Sequence, residues 1–256
     1  MAFQDLFSAQ AATYAAIRPD YPPALFDFLA SLVERRRLAW DCATGNGQAA
    51  VALAAFFERV IATDASAQQV EHARPHPRIE YRVATAEASG LPDAAVDLVT
   101  VAQALHWFDR DRFYEEAKRV LVPRGVLAVW SYGDPDIADD AALDAALKHF
   151  NWVTMGPYWP AGRGLVGSAT RQLVFPFDEI PAPPIDIVRH WTLDELAQYL
   201  RSWSSRAAYL KQHGTDPVSP FLDMLAPIWG QRDTRHEVRW GVTMRVGKTE
   251  GLGVRG

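Results

Sequence analysis

The sequence is poor in cysteine. Cys42 is the single one, so no internal disulfide framework is available and the chain suits a reducing compartment. It also lacks an excess of positive charge. Twenty-six Lys and Arg against 31 Asp and Glu leave a net charge of −5, which argues against a polyanionic partner such as nucleic acid. No stretch is long and apolar enough to span a bilayer. The opening MAFQDLFSAQAATY has no basic segment followed by an apolar core, so a cytoplasmic protein is expected, without a secretory leader. HExxH, CxxC and paired-carboxylate spacings are missing, and no metal is expected. Repeats and low-complexity tracts are missing too. The remainder is ordinary for a globular chain: 49% apolar and 22% charged over 256 residues, enough for one large domain with an insertion.

The first half alternates helical and strand patterns. PPALFDFLASLVERR, NGQAAVALAAFF, SAQQVEHAR and DRFYEEAKRVL have apolar residues at helical spacing, with Ser66 as an N-cap. Between them LAWD, RVIATD, RIEYRVA, AVDLVTVA and GVLAVWSY are short, apolar and β-branched. This rhythm predicts a parallel sheet with helices on both faces, binding its ligand at the carboxyl ends of the strands. After Tyr132 the rhythm breaks. Residues 134–149 look helical and acidic, 191–210 helical, 220–229 helical, and EVRWGVTMRVG a strand. Six of the nine tryptophans lie beyond residue 150; most are expected in a core, the rest around an apolar substrate chamber.

The turn WDCATGNGQAA at residues 40–50 poses a question of charge. Glycines let the chain turn tightly and let a ligand approach the backbone. GNGQAA matches one form of the dinucleotide fingerprint, which opens the reading of an NAD(P)-dependent oxidoreductase. Asp41 opposes it, because a carboxylate at the edge of that pocket repels a pyrophosphate and suits the ammonium and sulfonium of S-adenosylmethionine. Capping of nearby backbone N–H groups is the plainer role for Asp41. Asp64, at the end of the second strand, is placed to accept hydrogen bonds from ribose hydroxyls; Ala86 and Glu87 are placed near an adenine edge.

Taken in order, these segments resemble the class I S-adenosylmethionine-dependent methyltransferases, in particular the small-molecule branch related to trans-aconitate methyltransferase. The resemblance rests on YAAIRPDYP (14–22), DCATGNGQ (41–48), VIATDAS (60–66), ATAEASGLP (84–92), VDLVTVAQALHWFD (96–109) and RVLVPRGVLAVWSY (119–132). It implies a Rossmann-like, mostly parallel seven-stranded sheet in one α/β domain over 1–256. IDIVRHW would be its sixth strand and EVRWGVTMRV its seventh, antiparallel. Residues 1–30 would form a lid and 134–175 an insertion on the substrate side. It implies S-adenosyl-L-methionine as cofactor, held by Tyr14, Arg18, Asp41, Ala43, Gly45, Asp64, Ala65, Ala86, Glu87, Gln103 and Trp107. Two positions depart from the pattern. Ala43 replaces a glycine and is expected to demand an ordinary backbone angle. Arg124 replaces another, where a left-handed conformation is called for. These departures are the support for a third reading, a non-catalytic adenosyl-ligand-binding module.

Methyl transfer needs alignment and a dry cavity more than acid–base power. His106, after the fourth strand, is the candidate general base for a hydroxyl or amine, or an orienting group for a carboxylate. Trp107 is read as a wall for adenine or acceptor, or as core. A carboxylic acid acceptor would want an arginine fork, from Arg163, Arg171 or Arg206. Cys42 is read as a small buried filler. The partner expected is a small-molecule methyl acceptor, with no membrane and no nucleic acid; the sequence is silent on oligomeric state.

Overall fold

The computed structural model describes residues 20–160 and 167–250. Tyr14, Arg18, Arg163 and most of the expected lid lie outside them.

Eight strands form one sheet in the order β3-β2-β1-β4-β5-β8-β6, with β7 also pairing β8. They are β1 (Leu38–Cys42), β2 (Arg59–Asp64), β3 (Ile79–Val83), β4 (Val96–Ala102), β5 (Leu121–Ile137), β6 (Asp178–Ile180), β7 (Ile185–Trp191) and β8 (His236–Lys248). The first five are mutually parallel and β8 runs antiparallel to β5. Strands β1 and β4 are buried almost throughout, as expected of parallel strands covered on both faces. The count is eight because the sixth position is split. β6 pairs with the end of β8 and β7 with its start, so IDIVRHW is the seventh strand in chain order and EVRWGVTMRV the eighth.

The helices are α1 (Pro23–Ser31), α2 (Gln48–Leu53), α3 (Ala67–Glu71), α4 (Arg110–Val120), α5 (Ala141–His149), α6 (Leu193–Arg201), α7 (Ser204–His213) and α8 (Val218–Trp229). Ser66 caps α3 by accepting from Gln69 N. One face of the sheet buries Leu25, Leu29, Leu53 and Phe57 of the α1–α2 side; the other buries Phe113, Ala117 and Val120 of α4. A third cluster joins α5, α6 and α8 to the extended ends of β5, β7 and β8. Trp203, Trp229 and Trp240 fill it, Trp159 and Trp191 pack against it, and Trp152 is 60% exposed.

Two expectations are corrected here. Residues 134–137 are strand, because β8 residues 238–240 pair with 135–137, and helix starts only at Ala141, capped by Asp140. The 191–210 run is two helices, since α6 ends before Ser202 and α7 starts at Ser204.

Arg124 takes the left-handed angle, at φ 64°, in the exposed irregular stretch of β5 between Leu121 and Val126, where its guanidinium lies 3.6 Å from Glu34. A side chain in that region costs about 1–2 kcal/mol, and an exposed ion pair returns little. Arg124→Gly is therefore expected to raise the melting temperature, by about 1 kcal/mol of stability; an unchanged or lowered melting temperature in calorimetry contradicts the strain.

Candidate active site

The strand order reverses between β1 and β4, so a crevice opens at their carboxyl ends. Asp41 sits beside Thr100 in the β1–β4 register. It accepts from Thr100 Oγ1 at 2.8 Å and from Thr44 Oγ1 at 2.6 Å. The side chain is 1% exposed. Asp41 thus lies buried beneath the turn, where sequence reading put it at the pocket edge. Burial raises its carboxyl to about 6, against the lowering effect of the Thr44, Thr100 and Ala50 hydrogen bonds. At pH 7 the group is still about ten parts ionised to one neutral.

The turn is built on left-handed residues. Ala43, Gly45 and Gly47 have φ of 54°, 56° and 84°. Ala43 therefore does not hold an ordinary angle; it keeps the conformation a glycine would, with the strain on the alanine. Thr44 N donates to Thr63 O at 2.9 Å and Gly45 N to Asp64 Oδ2 at 2.9 Å, tying the turn to β2. At Gly47 a β-carbon would lie 2.2 Å from Tyr81 Oη, so a side chain there would displace that ring, and the φ of 84° itself favours glycine. A β-carbon on Gly45 would meet nothing within 4 Å; the turn faces the open crevice there.

Asp64 also accepts from Ser66 N at 2.9 Å, which fixes its carboxylate at the end of β2 with exposed Ala65 beside it. Ala86 is buried and Glu87 half-buried, Glu87 accepting from Asp109 N at 3.1 Å. The 84–92 loop is anchored by a clasp that sequence reading missed. Glu116 on α4 accepts from Ser89 N at 2.9 Å and from Arg119 at 2.8 Å, and Arg119 Nη2 reaches Leu91 O at 2.9 Å. Burial alone would raise the Glu116 carboxyl, but the Arg119 and Ser89 hydrogen bonds outweigh it and hold it at about 2. The i,i+3 spacing of Glu116 and Arg119 was its one visible signal. Thr44, Thr100 and Tyr81 were missed as well.

His106 and Trp107 stand on a short 3₁₀ turn after β4. Their rings lie 4.6 Å apart, with Trp107 52% exposed, which rules out a core role for it. Burial lowers the His106 imidazole to about 4, so it is neutral at pH 7. Gln103, at φ 57°, ends β4 and donates through Nε2 to Tyr132 O at 3.1 Å. Of the arginines, Arg206 is engaged with Asp216 at 2.8 Å. Arg171 lines a separate cleft of 410 Å³ with Glu179 and Arg245 at the β6–β8 edge.

The crevice is acidic. Cys42 is buried, and burial pushes its thiol well above the usual range, helped by the charges of Asp41, Asp64 and Glu87; it is a filler and no nucleophile. Asp64 serves an adenosyl ligand of either kind, whereas Asp41 under the turn suits a cation and opposes a diphosphate.

The comparisons agree with that sign. A profile described as a methyltransferase domain matches residues 40–129. A protein described as a methyltransferase in Dictyostelium discoideum is 33% identical over 90% of this chain and 89% of its own. The chain belongs to the class I S-adenosylmethionine-dependent methyltransferases. A solved structure described as a type II methyltransferase from Anaeromyxobacter dehalogenans is 40% identical, covers 91% of this chain and 99% of its own, and superposes with a TM-score of 0.86. Fold alone would not have decided the activity: the cyclase SpnF, 16% identical, covers 96% of this methyltransferase and 93% of its own chain with a TM-score of 0.53. The enzyme is a methyltransferase, S-adenosyl-L-methionine is its cofactor, and the dinucleotide reading of GNGQAA is set aside. No helix among the described residues is long and apolar enough to cross a membrane.

The state of Asp41 has a measurable consequence. Its folded pKa lies above the unfolded value of 3.8, so its cost is absent below that pH, grows as pH rises and is complete above about 6. The cost at neutral pH is on the order of 3 kcal/mol. Asp41→Asn is expected to match the parent in stability at pH 4 and to exceed it at pH 8, by denaturant unfolding, while binding S-adenosylhomocysteine about tenfold or more weakly. A variant less stable than the parent at pH 8 contradicts this.

Proposed function

We propose that this methyltransferase acts on a small molecule held between the carboxyl ends of β4 and β5 and covered by the segments 1–30 and 134–175. The observation that carries the reading is the ionised carboxylate of Asp41 sealed under the glycine turn, which orders the crevice for a cation. The net charge of −5 favours a small acceptor over nucleic acid. Support for the lid comes from its described end. Asp20 accepts from Gln48 Nε2 at 2.8 Å, and Arg189 of β7 donates to Asp20 O at 3.0 Å. Asp20 is thereby tied both to the helix that follows the glycine turn and to β7.

When bound, S-adenosylmethionine supplies a methyl group already activated on a cationic sulfur. The chain's own residues do the rest. Asp64 accepts from the ribose hydroxyls, Ala65, Ala86 and Glu87 border the adenine, Ala43 and Gly45 let the methionine end lie against the backbone, and Trp107 walls the nucleoside. Tyr14 and Arg18, outside the described residues, are kept as the candidates for the methionine end that the resemblance supplies. His106 is neutral, so it takes a proton or a hydrogen bond from the acceptor. A carboxylic acid is the narrower expectation from the resemblance, but it draws on arginines of which Arg206 is already paired. The reading as a non-catalytic module loses its support, because Ala43 and Arg124 both keep left-handed backbones.

Calorimetric titration is expected to give binding of S-adenosylhomocysteine and none of NAD. Labelled-methyl transfer across carboxylic acids, phenols and amines then identifies the acceptor class. His106→Ala is expected to lower kcat about 10²-fold or more if it takes the proton, whereas a rise in KM alone assigns it to orientation. Full turnover by His106→Ala, or NAD binding, contradicts the assignment; RNA binding that weakens steeply with salt contradicts the small-molecule acceptor.

A further inference from the structure

Glu116 is 8% exposed, whereas Asp111, Arg112, Glu115 and Lys118 of the same helix are exposed. A carboxylate on the buried stripe of an amphipathic helix needs a reason. The reason lies in the 84–92 loop. Glu116 Oε1 accepts from both the backbone N–H and the hydroxyl of Ser89, and Ser89 Oγ in turn accepts from Leu91 N at 3.1 Å. Arg119 closes the other side, donating to both Glu116 oxygens and to Leu91 O.

The clasped loop starts at the crevice. Ala84 N donates to Asp64 O at 3.0 Å, at the carboxyl end of β2. Thr85 and Ala88 then bridge across a tight turn that carries Ala86 and Glu87. Ala86 is buried in one cluster with Leu105, and Ala43 and Phe108 pack against that cluster. The Glu87 charge is close enough to raise the Cys42 thiol, as those of Asp41 and Asp64 do, which puts this carboxylate at the same rim. Glu87 Oε1 accepts from Asp109 N at 3.1 Å, and Asp109 caps α4. One helix therefore holds the turn at two points: Glu87 at the helix start, and Ser89 at Glu116, about two helical turns further on.

Resting on the reading above that Glu87 borders the adenine, we propose that Glu116 is a positioning residue for the nucleobase. Through Ser89 it fixes the turn that presents the Glu87 carboxylate, and so makes the cofactor site select adenine over a base with a carbonyl in place of the exocyclic amine. A carboxylate only accepts hydrogen bonds. It suits the amino group of adenine and repels the carbonyl oxygen of hypoxanthine. The discrimination requires the carboxylate to stay in place, since a mobile one turns to water and tolerates either base; a fixed polar group rejects the analogue that cannot satisfy it. The single bond to Asp109 N leaves Glu87 one anchor of its own. Ser89, two residues on, is bound to Glu116 through backbone and hydroxyl together, and supplies the rigidity.

Calorimetric titration of the full chain with S-adenosylhomocysteine and with S-inosylhomocysteine, which differ only at the edge of the base, tests this. The unaltered chain is expected to prefer the adenine form about tenfold or more. Glu116→Gln puts a donor where the clasp needs an acceptor. It is expected to weaken S-adenosylhomocysteine about tenfold and S-inosylhomocysteine less than about twofold, so that the preference collapses. Ser89→Ala, which keeps the backbone bond, is expected to lower the preference about threefold, and it carries the test if the first variant does not fold. Glu87→Ala is expected to abolish the preference, and adding Glu116→Gln to it is expected to change the preference no further, because the two act through one contact. Equal weakening of both ligands in Glu116→Gln and Ser89→Ala, or no weakening of either, marks a clasp with a merely structural role and overturns the proposal, as does a further fall in the double variant. An unaltered chain that binds both ligands equally, or neither, would instead undo the underlying reading of Glu87 at the adenine, and so is told apart.

Discussion

A carboxylate kept ionised without water is the constraint on which this site depends. Asp41 is closed in by the sheet on one side and by the glycine turn on the other. Two threonine hydroxyls replace its hydration, one from the turn and one from the neighbouring strand. Burial costs stability, and those hydrogen bonds return only part of it. A ligand cation above the turn would return more, through a medium of low dielectric where charge acts strongly. The family to which the chain belongs binds such a cation, and the arrangement explains why a turn so close to a dinucleotide fingerprint does not serve a diphosphate.

The same turn shows how strain is distributed. Among the described residues, four that bear side chains, Ala43, Ala94, Gln103 and Arg124, have left-handed backbones. Ala43 and Gln103 directly follow the two strands that border the crevice, β1 and β4. Gln103 is fixed by hydrogen bonds to Trp130 O and Tyr132 O of β5, and the two residues after Ala43 are tied to β2, so the packed sheet sets the angle and the local sequence yields. Rigid strand ends of this kind hold ligand-facing groups more tightly than a free loop does.

Much of this was legible in the chain, and for a physical reason. The strand–helix rhythm, the glycine turn, Asp64 and the HWFD turn are set by neighbours in sequence, so spacing alone exposes them. What escaped depends on register or on distant pairing. Thr100 meets Asp41 only because β1 and β4 align, 59 residues apart in sequence. Residues 134–137 look helical beside the acidic alanine-rich run, yet they extend β5 because a strand a hundred residues later pairs with them. Ala43 was expected to refuse a left-handed angle, yet the turn, tied to β2 through Thr44 and Gly45, holds it in one.

The central claim is that the Asp41 carboxylate and the bound cofactor stabilise each other. The most direct measurement is a carbon-13 titration of the Asp41 carboxyl, with and without saturating S-adenosylmethionine. The account predicts a value near 6 in the free chain and a clearly lower one in the complex, because a cation above the turn favours the charged form. A value that is unchanged or raised on binding would contradict it.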